Sequence, residues 1–226
     1  MSLPDQYKTG IAYFMDFEIG VNSSTFIPRP ETEILVEKTL DIIDLIHKKN
    51  KSKNKIDILD LCTGSGNIAI SLTKYNEQSK IIALDISREA LVKARENALK
   101  YGISDSIRFI QSDLFSGLNK RKALFDIIVS NPPYISNKDM AWIDDIVKTE
   151  PFIALYGGTD GLDYYRHIIK EAKYYLKKDG YILMEMGYDQ SEAVTNMLIE
   201  NGYSHIELYK DYSDINRIVK AGKNNV

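Results

Sequence analysis

Phe125-Asp126-Ile127-Ile128-Val129-Ser130-Asn131-Pro132-Pro133-Tyr134 is the stretch from which the fold can be read. Phe125, Ile127, Ile128 and Val129 form a short apolar run, which predicts a buried strand. Ser130 and two prolines stop it, because proline has no N–H to give a ladder and fixes its own φ. In an open parallel sheet, ligands bind beyond the carboxyl ends of the strands, so the groups on this turn should face a site. Asn131 offers one acceptor and two donors, Pro132 a carbonyl without an N–H, and Tyr134 a flat ring. Together they can grip a planar –NH2 group, with two acceptors taking its hydrogens and the ring packing on its plane. Asn131, Pro132 and Tyr134 are therefore the candidate catalytic residues, and Asn131, Pro132, Pro133 and Tyr134 the candidate substrate contacts.

Strands and helices alternate on either side of this turn. Upstream, strands are expected at Ile56–Leu61, Lys80–Leu84 and Ile107–Ile110, with helices from Asn67 to Tyr75 and after a capping Ser87. Downstream, Leu162, Tyr165, Ile168, Ile169, Ala172 and Leu176 recur at helical spacing, and Lys178-Asp179-Gly180 is read as the end of that helix. A fifth strand at Tyr181–Met186, a helix over Asp189–Glu200 and strands near Ser204–Leu208 and Arg217–Ala221 close the chain. This alternation predicts a seven-stranded, doubly wound, Rossmann-like α/β sheet. At the other end, Phe14, Phe17, Ile19, Val21, Phe26 and Ile27 surround the polar Gly20–Ser24 and predict a β-hairpin turning there. Pro30, Glu31 and Glu33 open a helix continued by Leu35, Val36, Leu40, Ile43 and Ile46. Residues 1–30 are thus assigned to a hairpin and linker, and 31–226 to the main domain. His47–Lys55, with five lysines, reads as a solvated connection.

Gly64-Ser65-Gly66 falls at the first strand-to-helix turn, where glycine permits φ > 0 and close approach of a ligand to the backbone. With Cys62 and Thr63 it forms a candidate cofactor loop, and the absence of a third glycine counts against a dinucleotide. Asp85 lies 21 residues beyond Gly64 at the end of the next strand, where a carboxylate can accept from both hydroxyls of a ribose. Asp113 ends the third strand, where it could accept from an adenine amino group, with Leu114 and Phe115 packing on the ring. The alternative for this trio is a turn aspartate beside two core residues. Asp60 is expected to hold the glycine loop through backbone amides, and Cys62 to be a small packed residue. The 135–160 connection carries Trp142, Glu150-Pro151 and Gly157-Gly158 and is long enough for a lid or substrate loop, unless Trp142 simply anchors it. Glu185, between Met184 and Met186, is either functional or paired within the structure.

Composition bounds the function. The 226 residues are 44% hydrophobic and 27% charged, enough for one α/β domain with a sizeable core. A net charge of −3 gives no general attraction to phosphate backbones, which disfavours a nucleic-acid binder. One cysteine excludes an internal disulfide and suits a reducing, cytoplasmic compartment. No apolar run approaches the roughly 18 residues of a spanning helix, so no membrane association is expected. His47, His167 and His205 show no metal-ligand spacing, and no metal is expected. Met1-Ser2-Leu3 reads as an expression leader.

These motifs together resemble the HemK/PrmC family of S-adenosylmethionine (AdoMet)-dependent methyltransferases, which act on a glutamine of peptide chain release factors. The likeness runs from Pro4 to Gly222. It includes Gln6-Tyr7, Ile27-Pro28-Arg29-Pro30-Glu31-Thr32-Glu33, Asp60 to Gly66, Asp85, Asn131 to Tyr134, Glu150-Pro151 and Gly157 to Asp163. The proline–arginine stretch together with Asn-Pro-Pro-Tyr is specific to that family, whereas the glycine loop is common to all such enzymes. The resemblance implies a class I methyltransferase, a monomer with AdoMet as cofactor and a release factor as protein substrate. It places Cys62, Thr63, Gly64, Ser65, Gly66, Asp85, Asp113, Leu114 and Asn131 at the cofactor, and adds Arg29 to the substrate contacts. Cys62 stands where the family usually has glycine, and its backbone can still serve. Family members also carry a helical N-terminal domain, whereas little precedes Tyr7, so the chain resembles a catalytic domain alone. Two other readings remain: an amino-group methyltransferase acting on adenine or guanine in DNA or rRNA or on a ribosomal-protein glutamine, and a non-catalytic AdoMet-binding module.

Overall fold

The computed structural model describes residues 3–50, 55–118 and 124–223. A short helix α1 (Asp5–Thr9) leads into the antiparallel hairpin β1 (Ile11–Phe14) and β2 (Phe17–Gly20), followed by α2 (Pro30–Asn50). The hairpin exists, but it turns at Met15-Asp16, with Phe14 opposite Phe17, and not at Gly20–Ser24 as the sequence suggested. Ala12, Phe14, Phe17 and Ile19 alternate inward, and Val21 stays buried beyond the strand. The louder polar cluster at Asn22–Thr25 makes a separate turn, closed by Thr25 N–H on the Asn22 carbonyl (2.9 Å). Helix α2 starts at the expected Pro30, with Glu31 and Glu33 in its first turn and His47, Lys48 and Lys49 in its last, both favourable to the helix dipole. The rest of the lysine-rich connection, Lys51 to Asn54, lies outside the described residues.

From there strand and helix alternate: β3 (Ile56–Leu61), α3 (Asn67–Tyr75), β4 (Ser79–Asp85), α4 (Arg88–Lys100), β5 (Ile107–Gln111) and β6 (Phe125–Ser130). The 135–160 connection contains two single-turn helices, α5 (Asn137–Met140) and α6 (Phe152–Leu155). Then come α7 (Asp163–Tyr175), β7 (Leu176–Glu185), α8 (Ser191–Glu200), β8 (Tyr203–Lys210) and β9 (Asn216–Lys223). The main sheet has seven strands in the order β5-β4-β3-β6-β7-β9-β8. β3 to β7 are parallel, and β9 runs antiparallel to both β7 and β8. Covered on both faces, the inner strands are apolar at consecutive positions rather than at alternate ones. Ile58, Ile127 and Leu183 meet the hairpin, α2 and α3 on one face, while Leu59, Ile128 and Ile182 meet α7 and α8 on the other.

One boundary differs from the sequence reading. Lys178-Asp179-Gly180 does not end a helix: α7 stops at Tyr175, and Leu176 already pairs with Phe125. The register then shifts between Phe125 and Ile127, and Asp179 takes a left-handed φ of 59°. Lys177 spans this irregularity, donating to Asp57 (2.6 Å) and Asp126 (2.8 Å). The three polar residues therefore mark a bulge in a strand.

Candidate active site

The chain runs outward from β3 through β4 to β5, then returns to place β6 on the other side of β3. This reversal is the topological switch point, where a crevice opens beyond the strand ends. Leu61 pairs with Ser130 there, and the Ser130 hydroxyl donates to the Leu61 carbonyl (2.9 Å). The Cys62–Gly66 loop and the Asn131–Tyr134 turn consequently leave the sheet side by side. They line one shared cleft.

On the β3–β4 side, the loop is pinned by Thr63 N–H to the Leu84 carbonyl (3.0 Å) and by the Thr63 hydroxyl to buried Asp60 (2.6 Å). Asp60 thus holds the loop through a side chain. Burial pushes its carboxyl up to about 7, against the pull of the Thr63 hydrogen bond. Gly64 has φ 55°, and a Cβ there would meet nothing within 4 Å, so the backbone faces open cleft. Gly66, at φ 82°, faces the core instead: its Cβ would lie 3.1 Å from that of Ala94. Cys62 also has a positive φ (60°), and burial and Asp85 raise its thiol well above the usual range, which leaves it an unreactive wall residue. Asn97, which carried no sequence signal, ties the loop to the hairpin by donating to the Ser65 and Gly20 carbonyls (both 2.9 Å).

Asp85 ends β4 at the cleft, accepting from Gly64 N–H (2.8 Å) and Ser87 N–H (2.9 Å). Ser87, not Asp85, caps α4. Each Asp85 oxygen has lone pairs beyond those two bonds, which suits acceptance from a vicinal diol. Asp113 and Leu114 line the next part of the cleft with Ile86. Phe115 does not join them: it is buried and stacks on Tyr175, 4.7 Å between ring centroids.

On the β6 side, Asn131, Pro132, Pro133 and Tyr134 all line the cleft. The back of the turn is held very closely. A Cβ on Gly157 would lie 2.6 Å from Tyr134 Cα and 2.8 Å from the Pro133 carbonyl oxygen. Gln190 Nε2 donates to the Tyr134 carbonyl (2.8 Å), and Gly157 N–H to that of Ile135 (2.9 Å). This backing explains the glycine-rich stretch after residue 156. Trp142 does not anchor the connection; it is 82% exposed.

Two polar side chains that sequence reasoning left unplaced, Thr32 and Glu185, meet behind Asn131. Asn131 Nδ2 donates to Thr32 Oγ1 (3.1 Å), and the Thr32 hydroxyl donates to Glu185 Oε2 (2.6 Å). The Tyr134 hydroxyl reaches Glu185 Oε1 at 3.4 Å. Thr32 and Glu185 are each 1% exposed, and burial pushes the Glu185 carboxyl up to about 7. A carboxylate inside an otherwise apolar strand was the available signal for Glu185, and for Thr32 its place in the proline–arginine stretch. Arg29 does not line the cleft. It packs over Phe26, donates to the Ile27 carbonyl (2.9 Å) and pairs with Glu150, which also accepts from Ile27 N–H (2.9 Å). These contacts brace the cleft wall.

The strand order, the glycine loop at the switch point and the facing carboxylate define a class I methyltransferase fold, and the description "Methyltransferase domain" fits the family profile that matches residues 52–220. The chain belongs, more narrowly, to the release factor glutamine methyltransferase family. It is 38% identical over 220 residues to the release factor glutamine methyltransferase of Clostridium acetobutylicum, covering 97% of this chain and 75% of that protein. The enzyme of the same name from Clostridium botulinum is 39% identical over 222 residues, covering 98% and 76%. In three dimensions the chain is similar to the N-terminal domain of human METTL16 in complex with SAH (TM-score 0.66, 16% identity, 92% of this chain and 76% of that one), a likeness of fold alone.

Proposed function

We propose that this protein transfers a methyl group from AdoMet to the side-chain amide nitrogen of a glutamine in a peptide chain release factor. The observation that carries the reading is the placement of Asn131 and Pro132 on one cleft with Gly64 and Asp85. It is supported by relatives named for that reaction.

AdoMet, when bound, supplies an electrophilic methyl group. The residues present fit such a molecule: the Asp85 carboxylate would accept from the ribose hydroxyls, the Gly64 backbone would admit the methionine portion, and Ile86, Asp113 and Leu114 would serve the adenine. The amide nitrogen of glutamine is a poor nucleophile because its lone pair is delocalised into the carbonyl. Asn131 Oδ1 and the Pro132 carbonyl would accept its two hydrogens and so aim the nitrogen, while the Tyr134 ring covers the amide plane and excludes water. Positioning of this kind is worth up to several kcal/mol of barrier. No strong base is required, because the nitrogen becomes acidic on gaining the methyl group and then gives its proton to solvent.

The accompanying reading is a cytoplasmic monomer that holds no stable nucleic acid, with a methyltransferase domain over 31–226 and residues 1–30 as its hairpin and linker. Among the described residues no helix is long and apolar enough to cross a membrane. The test is methyl incorporation from AdoMet into release factor, oligo-DNA and rRNA, followed by mass spectrometry. Incorporation into a release-factor glutamine is expected, falling about 10²-fold, or roughly 2.7 kcal/mol, in Asn131→Ala. Incorporation only into nucleic acid would overturn the substrate, and an undiminished Asn131→Ala the mechanism.

A further inference from the structure

Asparagine presents either its oxygen or its nitrogen to a ligand, depending on how the amide is turned. Only one of these suits the substrate: an –NH2 needs an acceptor, and the opposite orientation would set two donors against each other. The residues behind Asn131 decide between them. The Thr32 hydroxyl has a single proton. Glu185 Oε2, buried at 2.6 Å, takes it, as the acceptor oxygen of a carboxylate or of a carboxyl that carries its proton on Oε1. The Thr32 oxygen then has only lone pairs to offer Asn131, and the group facing it at 3.1 Å is Nδ2. Turning the amide would put Oδ1 against an oxygen with no proton to give. Among the described residues, Asn131 Oδ1 takes no hydrogen bond, and Asn131 lines the cleft.

We infer that Thr32 and Glu185 are positioning residues that lock the Asn131 amide with its oxygen toward the substrate, Thr32 relaying the acceptor character of Glu185. The inference rests on the methyltransferase reading above and adds a specificity element to it. The elements involved are far apart in the chain: Thr32 is in the first turn of α2, Asn131 follows β6 and Glu185 ends β7. Their meeting gives the Pro-Glu-Thr-Glu segment a role beyond starting a helix.

Two readouts test this on the full chain. The first is the Asn131 side-chain amide resonance in 15N-labelled protein without cofactor or substrate, identified by its loss in Asn131→Asp. The second is kcat and KM for release-factor methylation. Thr32→Ser keeps the hydroxyl and should hold the resonance in place and kcat within about 3-fold. Thr32→Val should move the resonance and lower kcat by about 10- to 100-fold, with the KM for AdoMet changed less than about 3-fold. Should Thr32→Val fail to fold, Thr32→Ala makes the same comparison. Glu185→Gln, whose amide can donate to Thr32 and release its proton toward Asn131, should move the resonance in the same way. An unmoved resonance in the hydroxyl-free variants overturns the inference. So does a Thr32→Ser variant as impaired as Thr32→Val or Thr32→Ala, which would make the role one of packing. If the parent chain does not methylate a release factor, the substrate reading fails by itself, and the resonance still decides the relay.

Discussion

Asp85 takes two backbone donors and keeps the remaining lone pairs of its half-buried carboxylate at the cleft. Burial raises its pKa, against the hydrogen bonds from Ser87 and Gly64. A hydrogen bond to a charged acceptor contributes about 1.5–3 kcal/mol. Asp85→Ala is therefore expected to weaken AdoMet binding by about 10- to 100-fold, read by calorimetric titration. An unchanged affinity would remove Asp85 from the cofactor site. Cys62 shows the converse at this scale: its chemistry is silent and its backbone conformation is what the loop uses. Arg29 shows that a charged residue inside a motif can serve the wall of a site, since its guanidinium contacts Glu150, Phe26 and the Ile27 carbonyl.

At the scale of elements, the Asn-Pro-Pro-Tyr turn is only as well placed as the loop behind it. Gly157 lies under Tyr134 and Pro133 so closely that the neighbours of an added Cβ would be backbone atoms, which cannot rotate away. Gly157→Ala should accordingly push the turn forward. The expected cost is about 1–3 kcal/mol of stability by urea denaturation, as for other overpacked sites, with methyl transfer down by at least about 10-fold. AdoMet affinity should stay near the parent value, because the Cys62–Gly66 loop is untouched. Equal loss of cofactor binding would mean that the two halves of the cleft are mechanically one unit. The bulge at Lys178–Gly180 belongs to the same scale, because it lets β7 start at Leu176 and still align Met184 with Ser130.

For the whole molecule, two buried carboxyls set a pH dependence of stability. Asp60 and Glu185 are both pushed up to about 7, chiefly by burial, so the native state holds protons that the unfolded chain has already released. The stabilisation from their neutral forms is complete below the ordinary carboxylate range and is lost as pH rises toward about 7. Asp160, Glu207 and Asp211 are shifted down by Arg166, Lys220 and Arg217 respectively, and act in the opposite sense at lower pH. The thermal midpoint should thus fall between about pH 5 and pH 8, and the slope should flatten in Asp60→Asn and in Glu185→Gln. A midpoint that rises over this range would contradict the assignment. Sequence alone was enough for the order of strands and helices, the termination of β6, the glycine loop and the carboxylate at the end of β4. Those features are written locally, in hydrophobic period and in residues that start or stop a hydrogen-bonded ladder. Tertiary structure decided what local pattern does not contain: the insertion of β9 between β7 and β8, the hairpin turn at Met15-Asp16, and the inward commitment of Arg29. It also decided the Asn131–Thr32–Glu185 chain, whose members are 99 and 153 residues apart. A buried carboxylate must find a donor, but the residue that supplies it is set by which helix end comes to rest on which strand end.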